Sequence, residues 1–209
     1  MMLNNAQHTM TRNILQLHLF VFLITAFFYN PLPTHAIGNS GKAFPSFTDF
    51  RQSVKNGEED ILRGVYVADV LELPVVQQPA DDPYFVSNRN GEATQFGMAS
   101  QYGNIGLLAH NTLSGRSFSR LAVGQEVRLV YGDGRVEYFV IKQVLRFRAL
   151  EPDSVTSSFQ NLDRNEVLSS GEMFNRAYVG ERRLVFQTCI AENGNVSWGR
   201  LFVIAVPKG

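Results

Sequence analysis

Short apolar runs, rich in Val, Leu and Phe and separated by polar turns, recur along the chain from residue 61 onward. Such runs are typical of half-buried strands, because β-branched and aromatic side chains pack well on a pleated surface. Counting them gives about seven to eight short strands, and regular turns between them indicate a barrel or a sandwich. The predicted extended segments are 62–73, 84–86, 94–99, 104–110, 127–131, 135–150, 184–189 and 199–205.

Helical spacing is confined to a few short stretches. Apolar positions at 47, 50 and 54 follow Ser46 and stop at Asn56-Gly57, which predicts a short amphipathic helix with an N-cap. Residues 173–178 predict a second, core-facing helix, and 118–121 a single helical turn. The fold class is therefore all-β, with few helices.

The first 36 residues resemble a targeting segment. The run from Ile14 to Tyr29 is mostly apolar, and Thr34-His35-Ala36 places small residues where a signal peptidase reads them. We expect cleavage after Ala36, and an uncleaved membrane anchor is the alternative. The organisation is then 1–36 signal peptide or anchor, 37–60 lead and short helix, and 61–209 barrel, in a protein exported to the periplasm, the cell surface or the medium.

The amino-acid composition excludes several classes of partner and of stabilising group. The 209 residues carry 19 basic and 19 acidic side chains, so no basic stripe suggests nucleic acid. One cysteine excludes an internal disulfide, and the lack of Cys/His clusters argues against a structural zinc site. A lone cysteine in an exported protein is either a buried inert thiol or a reactive one.

Cys189 ends one predicted strand, and Arg200 lies near the start of the next. The loop between them, 191–195, has hairpin-type turn residues, so an antiparallel return brings the two side chains close. A fixed cation beside a thiol favours the thiolate, which is the nucleophilic form.

His110 is the natural partner for proton transfer. Of the four histidines, His8, His18 and His35 lie in the targeting segment, so the mature chain keeps one. It ends the predicted strand 104–110 and precedes a polar turn.

These residues resemble the sortases, which are cysteine transpeptidases that process exported proteins at a C-terminal sorting signal. The resemblance extends from about Gly64 to Val206 and departs from many relatives at Ala109 and Asn111. It rests on Leu-Leu-Ala-His at 107–110, Phe-Ser-Arg-Leu at 118–121, Leu-Val-Phe-Gln-Thr-Cys at 184–189, and Arg200. The resemblance implies a closed sortase-like β-barrel with His, Cys and Arg on one rim.

It also implies a thioester mechanism. Cys189 would attack an amide carbonyl, and His110 would act as general acid and base. Arg200 would stabilise the oxyanion, and Thr188 is a plausible substrate contact. The substrate would be an exported protein carrying a sorting signal, and the acceptor an amine or water. No cofactor is implied, and contact with a membrane would occur only through an uncleaved N-terminal segment.

Two other classes stay open. An L,D-transpeptidase-like cysteine enzyme usually has His and Cys close together in sequence, whereas His110 and Cys189 are far apart here. A barrel that binds a peptide or wall component without chemistry is opposed only by the convergence of Cys189, His110 and Arg200.

Overall fold

The computed structural model describes residues 46–152, 154 and 156–209. The predicted targeting segment and the lead up to residue 45 lie outside these residues, and their interpretation stays a prediction. None of the helices within the described ranges has the length and apolarity needed to cross a bilayer.

The predicted first helix is confirmed as α1 (Phe47–Val54). The Ser46 hydroxyl accepts a hydrogen bond from the Asp49 backbone N–H, so it caps the helix as expected. Phe50 and Val54 are buried and pack against Tyr66 and Val130 on the outer wall of the sheet. The remaining helices in the described residues are α2 (Gly97–Ser100), a 3₁₀ helix (Ser114–Arg120) and α3 (Ser170–Tyr178).

Ten strands form one sheet in the described part of the chain. Eight of them follow the order β10-β9-β4-β3-β2-β1-β5-β6, and β6 pairs again with β10, which closes the barrel. This confirms an all-β closed barrel with few short helices. The strands are β1 (Leu62–Val67), β2 (Leu71–Gln77), β3 (Ala93–Gln95), β4 (Ile105–Leu108), β5 (Glu126–Tyr131), β6 (Val136–Ala149), β7 (Phe159–Asn161), β8 (Val167–Leu168), β9 (Leu184–Glu192) and β10 (Asn195–Pro207).

Tight turns join the antiparallel neighbours. β9 and β10 are connected by Asn193 and Gly194, both with positive φ, which is the backbone that a two-residue hairpin favours. Gly134, also at positive φ, closes the predicted hairpin between β5 and β6. β6 runs without a break through to Ala149, as the apolar pattern predicts.

Three predicted segments differ in the structure. The segment 62–73 is divided by a turn at residues 68–70 into the antiparallel strands β1 and β2. Residues 84–86 form no strand, because the Gln78 side-chain amide donates to the carbonyls of Pro83 and Phe85 and holds this segment as a loop. The segment 94–99 is divided between the end of β3 and the start of α2. The sequence pattern also missed β7 and β8, which are only three and two residues long.

Alternating side chains divide the buried residues into two layers. The barrel interior holds one layer, including Val65, Leu129, Phe186 and Val203. A second layer lies on the outer face of β4, β9 and β10, where α2, α3, β7 and β8 cover the sheet. The covering elements pack closely, since a Cβ on Gly106 would lie 2.9 Å from the Phe96 Cβ. Strands β4, β9 and β10 are therefore buried on both faces.

Candidate active site

Cys189 and Arg200 are direct partners in the sheet. Cys189 on β9 pairs with Arg200 on β10, as the hairpin predicts. Directly opposed residues in an antiparallel pair project to the same face with Cα atoms about 5 Å apart. The guanidinium and the thiol therefore share one surface of the sheet.

His110 joins the same row on the other side of Cys189. β4 and β9 run parallel from Ile105↔Leu184 to Leu108↔Gln187. The alignment continues past the end of β4, because the Ala109 N–H donates to the Gln187 carbonyl at 3.3 Å. If this alignment is extended by one more residue along each chain, His110 comes beside Cys189. Arg200 and Cys189 are paired on β10 and β9, and His110 follows β4 on the other side of Cys189; we call this arrangement the three-strand row.

The side chains of the row face away from the barrel interior. Leu201 belongs to the inner layer, so strand alternation turns its neighbour Arg200 outward. His110 follows β4 and bonds to Val86, which packs against the outer layer. Phe186 is also internal, so Cys189, three positions later, faces outward as well. The row consequently opens into the outer layer, beneath its covering elements.

Arg200 is fully buried, with 0% of its surface exposed. It is enclosed because α3 and β7 extend the protein over this part of the sheet. Its Nη1 donates to the carbonyls of Ser197 and Gly199, at 3.1 and 2.9 Å. The Phe159 ring lies 5.8 Å from its Cζ. Among the described residues its Nε and Nη2 have no hydrogen-bond partner.

A buried guanidinium without a carboxylate is costly, since it loses hydration and gains only two neutral carbonyls. Arg200 forms no ion pair with any carboxylate in the described ranges. Its two unused donors lie on the face that carries Cys189. Such donors suit a carbonyl oxygen that acquires negative charge next to the sulfur.

Burial shifts the pKa values of Cys189 and His110 toward their neutral forms. It raises the pKa of the Cys189 thiol, and the positive charge of Arg200 only partly offsets this effect. Burial also lowers the pKa of His110, while a hydrogen bond to the Val86 backbone carbonyl acts in the opposite direction. Both shifts favour a neutral thiol and a neutral imidazole over a thiolate–imidazolium pair.

Thr188 faces the barrel interior and is 2% exposed. Its Oγ1 donates to the Ala109 carbonyl at 2.8 Å, which ties β9 to the residue before His110. Gly115 passes so close that a Cβ there would lie 2.3 Å from this oxygen. In this structure Thr188 holds two parts of the site together, and the substrate contact expected of it stays a prediction.

Sequence patterns did not identify several residues that hold the row. The Asn111 side-chain amide donates to the Val196 carbonyl of β10 at 2.9 Å, so it spans the strand that carries Cys189. Gln187 accepts a 2.6 Å hydrogen bond from the buried Tyr178 hydroxyl and fastens α3 to β9. In the sequence, the polar Gln187 within an apolar strand was the sign that could have indicated its hydrogen bond with Tyr178. The contact between Val86 and His110 had no comparable signal, because it joins a loop to a strand end.

No protein-family model and no curated protein matches the chain. The solved structures similar to it include sortase C-1 from Actinomyces oris, with a TM-score of 0.47 and 10% identity over 79% of this chain and 82% of that one. Sortase C from Clostridium perfringens with the C-terminal cell wall sorting motif has a TM-score of 0.46 and 13% identity, covering 78% and 83%. Listeria monocytogenes sortase A has a TM-score of 0.45 and 12% identity, covering 72% and 89%. Likeness at this level does not establish a shared function, which has to be argued from the site residues.

Proposed function

We propose that the chain is a cysteine transpeptidase or endopeptidase that cleaves a sorting-signal peptide through a thioester on Cys189. One observation carries the proposal: Cys189 is paired with Arg200 on β9 and β10, and His110 follows β4, the strand on the other side of β9. This arrangement supplies a nucleophile, a proton carrier and a charge stabiliser on one face of the sheet.

Acylation begins from the neutral pair. As the Cys189 sulfur attacks the peptide carbonyl, its proton passes to His110 and the carbonyl oxygen becomes an oxyanion. The free donors of Arg200 stabilise that oxyanion. Collapse breaks the C–N bond, and the imidazolium donates its proton to the departing amine. A thioester on Cys189 and a neutral His110 result.

Transfer reverses the proton movements. An amine or a water molecule attacks the thioester carbonyl and gives a proton to His110. The C–S bond then breaks, and the proton on His110 returns to the departing sulfur. An amine acceptor yields a new peptide-type bond, and water yields a carboxylate.

Access to the row requires movement, because Cys189 is only 4% exposed. Phe159 of β7 packs near Arg200 and belongs to the covering layer. Substrate binding in this proposal displaces part of that cover and fills the space next to the guanidinium. A buried Cys189 fits a barrel that binds peptides without chemistry as well as it fits the enzyme. The test must therefore measure bond cleavage.

A peptide screen tests the proposal. The chain from residue 37 to 209 is incubated with a library of sorting-signal peptides, and amide cleavage is followed by mass spectrometry. The Cys189→Ala protein is the control for contaminating proteases. Cleavage that disappears in this variant supports the enzyme, whereas cleavage by both proteins, or by neither, contradicts it.

We also propose that the protein is exported and acts at the cell envelope. Support comes from the apolar run and the small residues before Ile37. Mass spectrometry of the protein from the envelope of its native host should show Ile37 as the N-terminus. An intact N-terminus in the membrane fraction would instead establish an anchor, and an intact N-terminus in the cytoplasm would contradict export.

A further inference from the structure

Residues 83–92, in the loop between β2 and β3, contact the candidate base from outside the three-strand row. The Val86 carbonyl of this loop accepts a hydrogen bond from the His110 imidazole. A neutral imidazole has one protonated ring nitrogen, so the nitrogen that donates to Val86 carries the proton and the other is an acceptor. An acceptor nitrogen is what a general base needs to take the proton of the Cys189 thiol. The position of the Val86 carbonyl therefore bears on the orientation and the tautomer of His110.

Gln78, which follows β2, holds the first part of this loop. Its side-chain Nε2 donates to the carbonyls of Pro83 and Phe85, both at 2.9 Å. Its Oε1 accepts from the Gly97 N–H at the start of α2, at 3.0 Å. One side chain thus uses both of its polar atoms to attach the residues just before Val86 to a helix that covers the sheet.

Thr94 on β3 holds the residue that follows Val86. Thr94 is fully buried, and its hydroxyl accepts a 2.8 Å hydrogen bond from the Ser87 backbone N–H. It also pairs in the sheet with Leu108, two residues before His110. Directly opposed residues of an antiparallel pair project to the same face, so Thr94 shares the outer face with Leu108. The loop next to Val86 is therefore fastened to the strand that leads into the candidate base.

The far end of the loop is attached to the turn that follows His110. The Ser114 hydroxyl accepts from the N–H groups of Gly91 and Glu92, at 2.7 and 3.0 Å. The next residue, Gly115, donates its N–H to the His110 carbonyl at 3.0 Å. The loop is therefore linked both to the imidazole and to the backbone of the same residue.

We propose that Thr94 and Gln78 are positioning residues, which hold the Val86 carbonyl where it fixes the orientation and the tautomer of the His110 imidazole. The carbonyl then has the part of the third group in a nucleophile–base–orienter arrangement. It also stabilises the imidazolium that forms when the Cys189 proton arrives, because a charged donor makes a stronger hydrogen bond. The catalytic consequence rests on the proposed function, whereas the effect on the imidazole does not.

NMR of the imidazole tests the proposal without turnover. In the chain from residue 37 to 209, the form used for the peptide screen, His110 is the one histidine, so its ring signals are unambiguous. Nitrogen and proton spectra over a pH series give its pKa and show which ring nitrogen carries the proton. The variants are Thr94→Val, Thr94→Ser, Gln78→Met and Val127→Ala.

Two of these variants are matched controls. Val127 is buried in the barrel interior on β5, whose neighbours are β1 and β6. Val127→Ala weakens the barrel but leaves the hydrogen bonds of the loop in place, so it controls for a loss of stability alone. Thr94→Ser removes a methyl group and keeps the acceptor for the Ser87 N–H, so it isolates the contribution of the hydroxyl.

We expect a lower pKa of His110 in Thr94→Val than in the wild type, because the hydrogen bond to Val86 raises that pKa. The ring should also change from one tautomer to a mixture of two. Gln78→Met should have the same effects, and it decides the test if Thr94→Val does not fold. Thr94→Ser and Val127→Ala should match the wild type. An unchanged imidazole in Thr94→Val and Gln78→Met, or an equal change in Val127→Ala, would overturn the proposal.

Kinetics on a cleavable peptide provide the second readout. In Thr94→Val, kcat should fall about 10–10²-fold with KM unchanged, since a misplaced base slows the chemical step and leaves peptide binding intact. The acidic limb of the rate–pH profile should move to lower pH together with the pKa of His110. Thr94→Ser should restore the wild-type kcat.

The two readouts separate this inference from the proposed function. A shifted pKa of His110 in a protein that cleaves no peptide supports the positioning of the imidazole and contradicts the proposed function. Cleavage that is as fast in Thr94→Val as in the wild type retains the proposed function and overturns the positioning role.

Discussion

The inner and outer layers of buried side chains share strands β4, β9 and β10 but differ in chemistry. The inner layer is apolar apart from groups such as the Thr188 hydroxyl, which donates within the sheet. The outer layer contains Cys189, the unpaired Arg200 and the hydrogen-bonded Gln187–Tyr178 pair among its aromatic residues. Because successive residues of a strand alternate between the layers, one strand can stabilise the barrel with one set of positions and carry chemistry with the other.

The difference in chemistry between the two layers indicates which buried positions of this fold can carry a function. Inner residues such as Phe118 and Phe186, whose ring centroids are 5.1 Å apart, have no polar group to present to a substrate. Arg200 is equally buried but has donors that the described protein does not satisfy. A change in the inner layer should therefore reduce stability, whereas a change in the three-strand row should reduce turnover.

Replacing the base should have the largest effect. In the proposed mechanism His110→Ala removes the group that transfers protons in both halves of the reaction, and we expect turnover to fall about 10⁴-fold. His110→Gln is the matched control, because an amide can still donate to the Val86 carbonyl but cannot carry the proton. Both variants should unfold at nearly the wild-type temperature. Near wild-type turnover in His110→Gln would show that this side chain has only a structural role.

Truncating an inner aromatic residue should produce the largest loss of stability. Phe186→Ala leaves a cavity opposite Phe118, and we expect the free energy of unfolding in urea to fall by about 3–5 kcal/mol. Turnover per folded molecule should change by less than about threefold. A variant that keeps its stability but loses turnover would contradict the division between the layers.

Substitutions of Arg200 should have the reverse effect to Phe186→Ala, with a loss of turnover and no loss of stability. Arg200→Met removes an oxyanion donor and should lower turnover by about 10²–10³-fold. Arg200→Lys should also lose most of its activity, because an ammonium cannot reproduce the guanidinium fork.

Thermal unfolding provides the second measurement on Arg200→Met. Its melting temperature should equal or exceed that of the wild type, since a buried cation without a carboxylate partner has been removed. The pH midpoint for iodoacetamide labelling of Cys189 should move upward, because Arg200 lowers the pKa of the thiol. Wild-type turnover in either variant would mean that Arg200 is not part of the site.

Thr188 ties β9 to the residue before His110 and should have the smallest effect. Thr188→Val keeps the shape but leaves the Ala109 carbonyl without its donor, and we expect a loss of about 1–3 kcal/mol in stability. Turnover should fall about tenfold as the end of β4 shifts against Cys189, with the affinity for peptide unchanged. Thr188→Ser should restore both quantities. A rise in the Michaelis constant alone would instead support direct substrate contact.

The sequence predicted the strands and the antiparallel pairing of Cys189 with Arg200, because alternation and the Asn-Gly turn are local signals. Closure of the barrel by β6 and β10 depends on long-range pairing, and only the resemblance implied it. The burial of Arg200 was missed because the covering strand β7 is only three residues long and had no detectable pattern. The contact of the Val86 carbonyl with His110 could not be predicted, since it joins segments distant in sequence.

Direct detection of the intermediate tests the central claim, that the three-strand row forms a thioester on Cys189. A cleavable peptide from the screen is mixed with the wild type, quenched in acid and analysed by intact mass and peptide mapping. We predict an adduct equal in mass to the acyl half of the peptide, located on Cys189 and released by hydroxylamine. Arg200→Met should form this adduct at least about 100-fold more slowly. Cleavage of the peptide with no adduct on Cys189, or with an adduct on another residue, would contradict the account.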